Sequence, residues 1–368
     1  MMSIRKQISL IAMLAAAASV AAQEAPVVRP SSSNIRDLQI RGRVQAQFGY
    51  TETKNDESSD DFSTMELRRV RMGMRGTLFQ NVRAQLEANL VPGSSLSMRS
   101  AFIEWREHKP AYIKLGLDKP QFGFEENTSS AEILTVERTL IGNALAPGAM
   151  NGLSLAGSLE RVSYGFGVYT DRANRNADGN ADYLLNASVQ FNLDELLGEG
   201  RLRLRADWIS SDDRGGNFGG SFDDAMAASL HFSQGRFDLR GEYLTATNGS
   251  DDTSGFYVMP SVFVTDQLQA VVRYESADSD KATGLRAPGR YAQRTSALKV
   301  IEEDEEAGTP KIDPQRGDGY SAIYVGANYY FAGHAQKLMA GVEVAELDNT
   351  VHGSLDMLTV YTAWRMLF

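Results

Sequence analysis

A two-residue alternation runs through most of this chain and constrains its fold more than any other feature. In Arg201–Trp208, Leu202, Leu204, Ala206 and Trp208 share one parity, while Arg201, Arg203, Arg205 and Asp207 share the other. Successive side chains of a strand point to opposite faces, so this segment reads as a strand with one apolar and one charged face. Asn81–Leu90 repeats the pattern: Val82, Ala84, Leu86, Ala88 and Leu90 oppose Asn81, Arg83, Gln85, Glu87 and Asn89. It recurs in Ile40–Tyr50, Val70–Leu78, Tyr112–Asp118, Val162–Thr170, Phe237–Tyr243, Leu268–Glu275, Lys337–Val344 and Leu358–Phe368. Weaker examples are Leu96–Trp105, Gly152–Leu159, Tyr183–Asn192, Ala225–Ser233, Gly255–Phe263 and Tyr320–Phe331, giving sixteen strands in all.

The connections alternate too. Short turns fall at Phe79-Gln80, Arg106–Pro110, Glu160-Arg161, Gln234–Arg236, Val264–Gln267 and Ala332–Ala335, with a slightly longer one at Leu193–Gly200. Between them lie longer polar connections: Thr51–Asp61, Lys119–Asn151, Asp171–Asp182, Ser210–Asp224, Thr247–Ser254, Ala277–Gly319 and Asp348–Ser354, with Val91–Ser95 the brief exception. Even strand number, short periplasmic turns and long external loops define an outer-membrane barrel. A soluble sandwich has no reason to sort its loops this way. In lipid every backbone donor and acceptor must be paired within the protein, so such a sheet closes on itself. Sixteen strands enclose a water-filled lumen. The expected fold is all-β: a 16-stranded antiparallel transmembrane β-barrel over residues 40–368.

The N-terminus supports export. Arg5 and Lys6 precede an apolar stretch, Ile8–Ala18, and then the small residues Val20-Ala21-Ala22. This reads as a signal peptide over 1–22, too short to span a bilayer, followed by an N-terminal periplasmic segment over 23–39. The chain has no cysteine, which removes disulfides, thiol nucleophiles and cysteine-based zinc sites. With 37 basic and 47 acidic residues the net charge is −10, which argues against nucleic acid as a partner. The expected location is the outer membrane of a Gram-negative bacterium, with lipid and lipopolysaccharide against the apolar face. A terminal strand ending in Phe368 also looks like the signal read by the outer-membrane assembly machinery.

If the apolar parity meets lipid, the other parity lines water. Arg41, Arg43, Arg69, Arg71, Arg75, Arg83, Lys114, Arg201, Arg203, Arg205, Arg240 and Arg273 fall there, as do Lys337 and Arg365. Each would cost about 2–4 kcal/mol on the lipid face at mid-bilayer. Arg68 falls on the apolar parity. The 37 basic residues include nine lysines, leaving 28 arginines, whose planar forks suit carboxylate and phosphate oxygens. A row of such groups could pass an anion between weak neighbouring sites. The alternative is that these arginines merely brace the wall by pairing with acids such as Glu87, Asp118, Asp207, Asp238, Glu242, Glu275 and Glu343.

The Lys119–Asn151 connection, the third on the long-loop side, is too long for a hairpin link. It carries Lys119, Glu125, Glu126, Glu137 and Arg138 among Ile133, Leu134, Leu140, Ile141 and Leu145. That apolar content predicts a loop folded into the lumen, with 119–151 as the constriction and Lys119 and Arg138 part of the anion path.

Here a family resemblance emerges. Leu115-Gly116-Leu117-Asp118-Lys119-Pro120-Gln121-Phe122-Gly123, followed by Glu125 and Thr128-Ser129-Ser130, resembles a motif of the phosphate-selective porin O/P family. Gly326-Ala327-Asn328-Tyr329-Tyr330-Phe331-Ala332-Gly333-His334 with Lys337-Leu338 is similar to that family's penultimate hairpin. The second strand (Arg68, Arg69, Arg71, Gly73, Arg75, Gly76) also matches. The resemblance implies a homotrimeric channel passing inorganic phosphate, pyrophosphate or polyphosphate, with Lys119 and Arg138 in the constricting loop and Arg201, Arg203 and Arg205 in a facing ladder. The chain departs from the pattern in being poor in lysine, with an acidic run at Glu302–Glu306, which leaves other small anions open.

Other signals are weaker. His108, His231, His334 and His352 come without a nucleophile elbow or a zinc-binding helix motif. Asp178-Gly179-Asn180-Ala181-Asp182 lacks the length and the terminal Glu of a calcium loop. No catalytic residue, metal or cofactor is expected. A general porin without a binding site, or an outer-membrane enzyme or adhesin using the external loops, are the competing readings.

Overall fold

The computed structural model describes residues 27–28, 34–55, 59–107, 110–170, 183–211, 222–281, 284–295, 315–349 and 353–368. The signal peptide, most of the 23–39 segment, His108, His352, the Asp178–Asp182 stretch and the Glu302–Glu306 run lie outside the described residues.

Sixteen long strands follow one another: β1 Ile35–Lys54, β2 Ser59–Leu78, β3 Val82–Asn89, β4 Ser97–Trp105, β5 Ala111–Asp118, β6 Met150–Leu159, β7 Val162–Thr170 and β8 Tyr183–Asn192. The second half comprises β9 Arg201–Ser211, β10 Asp224–Gln234, β11 Phe237–Asn248, β12 Asp251–Phe263, β13 Leu268–Ser279, β14 Gly319–Ala332, β15 Gln336–Asp348 and β16 Leu355–Leu367. Each pairs antiparallel with its sequence neighbours. β16 then pairs with β1 from Asp356↔Lys54 to Leu367↔Arg43, which closes the barrel. Phe368 completes the seam, accepting from Gly42 N at 2.6 Å and donating to Gly42 O at 3.1 Å.

The expected period is visible in exposure. On β12, Phe256 and Val258 are 39% and 43% exposed, while Tyr257 and Met259 are 1% each. Exposed Leu, Val, Ile, Met and Phe make a continuous apolar outer face. The opposite face carries the polar residues, but not along its whole height. On β9 it runs Arg201, Arg203, Arg205, Asp207 and then Ile209, which is fully buried. Leu184, Leu244, Ala246 and Met357 do the same on other strands and form one apolar cluster with Phe122, Leu140, Ile141 and Leu145 of the long connection. The equation of that parity with water therefore fails towards the external end of these strands, where side chains pack on a loop instead.

Two connections are shorter than the sequence suggests. β1 and β2 run on to Lys54 and from Ser59, and β11 and β12 are joined by only Gly249-Ser250. The polar residues there, such as Glu52↔Asp61 and Thr247↔Asp252, continue the ladder beyond the apolar band, where composition alone resembles loop. β1 also starts five residues ahead of Ile40, and Val27-Val28 pairs beside it with Gln39 and Leu38.

The barrel is uneven. β2 has 20 residues but pairs with β3 only from Arg71 to Leu78. β3, β4 and β5 have 8, 9 and 8 residues. The β1–β2 hairpin thus stands well above the neighbouring wall.

Candidate functional site: a basic cluster on the polar face

The site begins with register. Arg43 of β1 lies directly opposite Arg71 of β2. Like charges in that relation repel, and a sheet gains nothing by the arrangement itself. Arg43 donates to Ser130 Oγ at 2.5 Å and to Ser129 Oγ at 3.3 Å. Arg71 donates from Nε to Asn89 Oδ1 at 2.9 Å and has Glu87 at 3.5 Å. Two pairs further along β1, Arg69 opposes Gln45 and donates to its Oε1 at 3.0 Å.

Two β-bulges add arginines that a strict period misses. The β1–β2 register slips between Gln45↔Arg69 and Ala46↔Leu67, leaving Arg68 as the extra residue. A bulge re-aims the side chain it carries. Arg68 therefore turns to the polar face, donating to Glu137 through Nε at 2.9 Å and Nη2 at 3.3 Å. The β3–β4 register slips between Glu87↔Ser100 and Ala88↔Met98, so Arg99 is extra there, and its charge acts on Lys119.

The Lys119–Asn151 connection supplies the rest. It contains two short helices, α1 Phe124–Asn127 and α2 Leu140–Leu145. Gly123 N donates to Asp207 Oδ2 at 3.1 Å, and Phe124 N and Glu125 N donate to the Glu242 carboxylate at 2.5 and 3.1 Å. Leu140 N donates to Glu275 Oε1 at 3.0 Å. Carboxylates at exposed helix amides satisfy donors that have no intrahelical partner. Asn328 and Lys337 donate to Leu134 O and Ile133 O at 2.9 and 2.7 Å, and Arg365 to Ser130 O and Val136 O at 2.8 and 2.6 Å. With Gln47 to Glu137 at 2.8 Å and Asn186 to Gln121 O at 3.0 Å, residues of nine strands hold this segment.

Lys119 pairs with Glu126, and Arg138 has the same carboxylate at 3.2 Å. Burial, reinforced by the charges of Arg99, Arg138, Arg71 and Arg69, pulls the Lys119 ammonium down to about 6. Burial raises the Glu137 carboxyl, but Arg68, Arg69 and the Gln47 hydrogen bond outweigh it and hold the group well below the usual carboxylate range.

The predicted residues thus sort into groups. Arg43, Arg69, Arg71, Lys119 and Arg138 gather in one cluster, with Arg41 exposed two residues along β1. Arg75 and Arg83 line a second cavity of about 420 Å³ at the turn end of β1–β4, where Arg83 has Glu104 at 3.4 Å. Lys114 is held by Asp118 at 2.8 Å. The rest are not brought to the cluster: Arg203 meets Asp194 at 3.4 Å, Arg205 meets Asp207 at 2.9 Å, and Arg240 meets Asp238 at 2.8 Å. Arg201 is exposed at the same end of β9. Arg273 is buried between Glu343 at 2.8 Å and Glu275 at 3.4 Å. For Arg205, Arg240 and Arg273 the wall-bracing alternative describes the contacts. Among the described residues no group of three or more His, Asp or Glu could hold a metal ion.

A second loop segment, residues 284–295, went unnoticed in the sequence because acidic residues dominate its neighbourhood. Tyr291 Oη accepts from Gln47 Nε2 at 2.6 Å, and its ring lies against Gly49, where any Cβ would collide with it. Arg290 meets Glu66 at 2.5 Å and Glu137 at 3.7 Å, and Arg294 lies 5.7 Å from the Phe62 ring.

Comparison with known proteins agrees with this architecture. An OmpT loop L8 deletion mutant from Vibrio cholerae is 11% identical, with a TM-score of 0.59 over 90% of this chain and 99% of its own. The outer membrane channel DcaP of Acinetobacter baumannii is 12% identical, TM-score 0.59, over 92% and 99%. An anion-selective porin from Comamonas acidovorans is 14% identical, TM-score 0.59, over 90% and 99%. At such identities the likeness is one of fold. No curated protein sequence matches the chain. The model of the family "Phosphate-selective porin O and P" matches residues 38–193, which carry β1 to β8 and the whole long connection. That is the family whose motifs the sequence resembles, and over residues 38–193, the first half of the barrel, the chain is similar to the phosphate-selective porin O and P family.

Proposed function

We propose that the protein is a passive outer-membrane channel selective for anions, with phosphate, pyrophosphate or polyphosphate as its cargo. The observation that carries this reading is the Arg43–Arg71 opposition, with Arg68, Arg69, Arg99, Lys119 and Arg138 around it. A sheet tolerates facing guanidiniums where a passing anion offsets their repulsion. In this reading the polar face encloses the lumen and the Lys119–Asn151 connection constricts it, supported by its bonds to nine strands and its buried Ala131, Thr135 and Val136. Anions travel from the external cavity beside Arg68, past the cluster, to the cavity at Arg75 and Arg83.

The channel works as a homotrimer. At the usual tilt, eight residues of strand rise ~20 Å against an apolar band of ~25 Å, so β3–β5 need cover from neighbouring copies. An OmpT structure from Vibrio cholerae described as a trimer form shares the fold.

Reversal potentials across bilayers in potassium chloride gradients test the function, followed by phosphate and pyrophosphate salts. Anion preference with phosphate slowing the chloride current is expected; equal permeability to both ions overturns the reading. The paired Arg205, Arg240 and Arg273 favour a second reading, a general porin without a binding site. Conductance rising linearly with phosphate concentration, without saturation, supports that one.

A further inference from the structure

A cavity of about 440 Å³ opens on the long-loop side of the cluster, between α2, the 284–295 segment and the walls β13–β16. Its lining holds six arginines and three glutamates. Arg273 is spent on Glu275 and Glu343, Arg68 on Glu137, and Arg290 on Glu66. Arg294 is 44% exposed with Glu66 only at 3.9 Å, and Arg286 is exposed. A cationic excess therefore faces the cavity.

The rest of the lining is of another kind. Tyr291, Tyr320 and Tyr361 line it, and Leu140, Ala287 and Pro288 add apolar atoms to its wall, most of them packed close against their neighbours. The rings of Tyr291 and Tyr361 meet edge-on, with centroids 5.5 Å apart. A bulk water occupies ≈30 Å³, so the space is many times larger than one inorganic phosphate. A small, strongly hydrated ion gains nothing from tyrosine rings and proline. A carboxylate attached to a ring does: its head takes guanidinium forks while its body covers apolar surface and displaces water.

We propose that this external cavity binds organic carboxylates with an aromatic body, held at the head by Arg286 and Arg294 and at the ring by Tyr291, Pro288 and Leu140. This rests on the anion-channel reading and adds the class of anion that dwells at its entrance. Bound there, such a carboxylate obstructs smaller ions from the external side.

The test uses the full-length channel in planar bilayers, with sodium acetate or sodium benzoate added on the external side. Both carry one carboxylate; only benzoate has a ring. Benzoate is expected to half-block chloride current at about a tenfold lower concentration than acetate. Arg286→Ala combined with Arg294→Ala is expected to raise the benzoate value about fivefold, with folding checked by the mobility of unheated samples on gels. Equal block by the two anions overturns the proposal, as does benzoate block untouched in the folded double variant. If that variant fails to fold, the acetate–benzoate comparison on the unaltered channel still decides. The chloride-to-potassium reversal potential of the same membranes is a separate readout: its loss with benzoate block intact would count against the channel reading and not against the cavity.

Discussion

Arg68 grips Glu137 with two hydrogen bonds, 2.9 and 3.3 Å long, across 69 residues of chain. The acid also takes Gln47 and lies 3.7 Å from Arg290, so one carboxylate ties β1, β2 and two loop segments together. Glu137→Gln removes the charge but keeps the shape. The expected loss is about 2 kcal/mol, the scale of charge-assisted hydrogen bonds that are partly shielded from water. Urea unfolding of the refolded barrel measures it, and single-channel current should become noisier as the segment loosens.

Charge reversal at two sites separates pathway from wall. Arg71→Glu is expected to cut the chloride-to-potassium permeability ratio about fivefold, and Arg203→Glu less than about twofold. Arg203 already has Asp194 at 3.4 Å near a turn, away from the cluster. Reversal potentials decide, and equal effects would move the pathway towards β9.

Selectivity should depend on pH. A Lys119 group with a pKa of about 6 is charged below that value and neutral above it. At pH 5 about nine-tenths of channels carry the added cation, and at pH 7.5 only a few per cent. Anion preference is therefore higher at pH 5. His334, pushed down to about 4 by burial and by Lys337, stays neutral across that window. In Lys119→Met the step between pH 5 and 7.5 should vanish.

Gly49→Val probes the second loop segment. A side chain there displaces the Tyr291 ring, and with it the anchor of residues 284–295. Strand pairing at Gly49↔Tyr361 stays possible, so the barrel should fold while conductance rises about twofold as the external cavity widens. Single-channel recording at fixed salt reads this directly.

The low wall predicts where copies meet. Leu86 and Ile103 lie outward on β3 and β4, 47% and 51% exposed. With no native cysteine to interfere, Leu86→Cys together with Ile103→Cys should cross-link to dimers and trimers under oxidation, whereas Val344→Cys on β15, 58% exposed, should not.

Strand number, antiparallel order and the apolar outer face were legible in the sequence because a period of two repeats sixteen times and each repeat reports on the same constraint. The cluster was half legible. Arg43, Arg69 and Arg71 follow the period, whereas Arg68 and Arg99 enter through bulges, where one extra residue breaks the parity count without any mark in composition. Arg205, Arg240 and Arg273 follow the period as well, and what it does not disclose is that acids two residues away, and for Arg273 also Glu343 two strands along the barrel, pair with them. Parity gives a direction, not a neighbour. Ile209 and Leu244 show the same limit, since a packed loop rather than water fills their polar-side positions.

The seam between β1 and β16 joins residues as far apart as Thr51 and Thr359, whose hydroxyls meet at 2.7 Å across 308 positions. No earlier stretch can stand in for that contact. Until the final strand arrives, the growing sheet carries two raw margins able to stick to any other extended chain. Assembly is consequently a late, all-at-once event in the life of each molecule, slow because its decisive contact is also its most distant one.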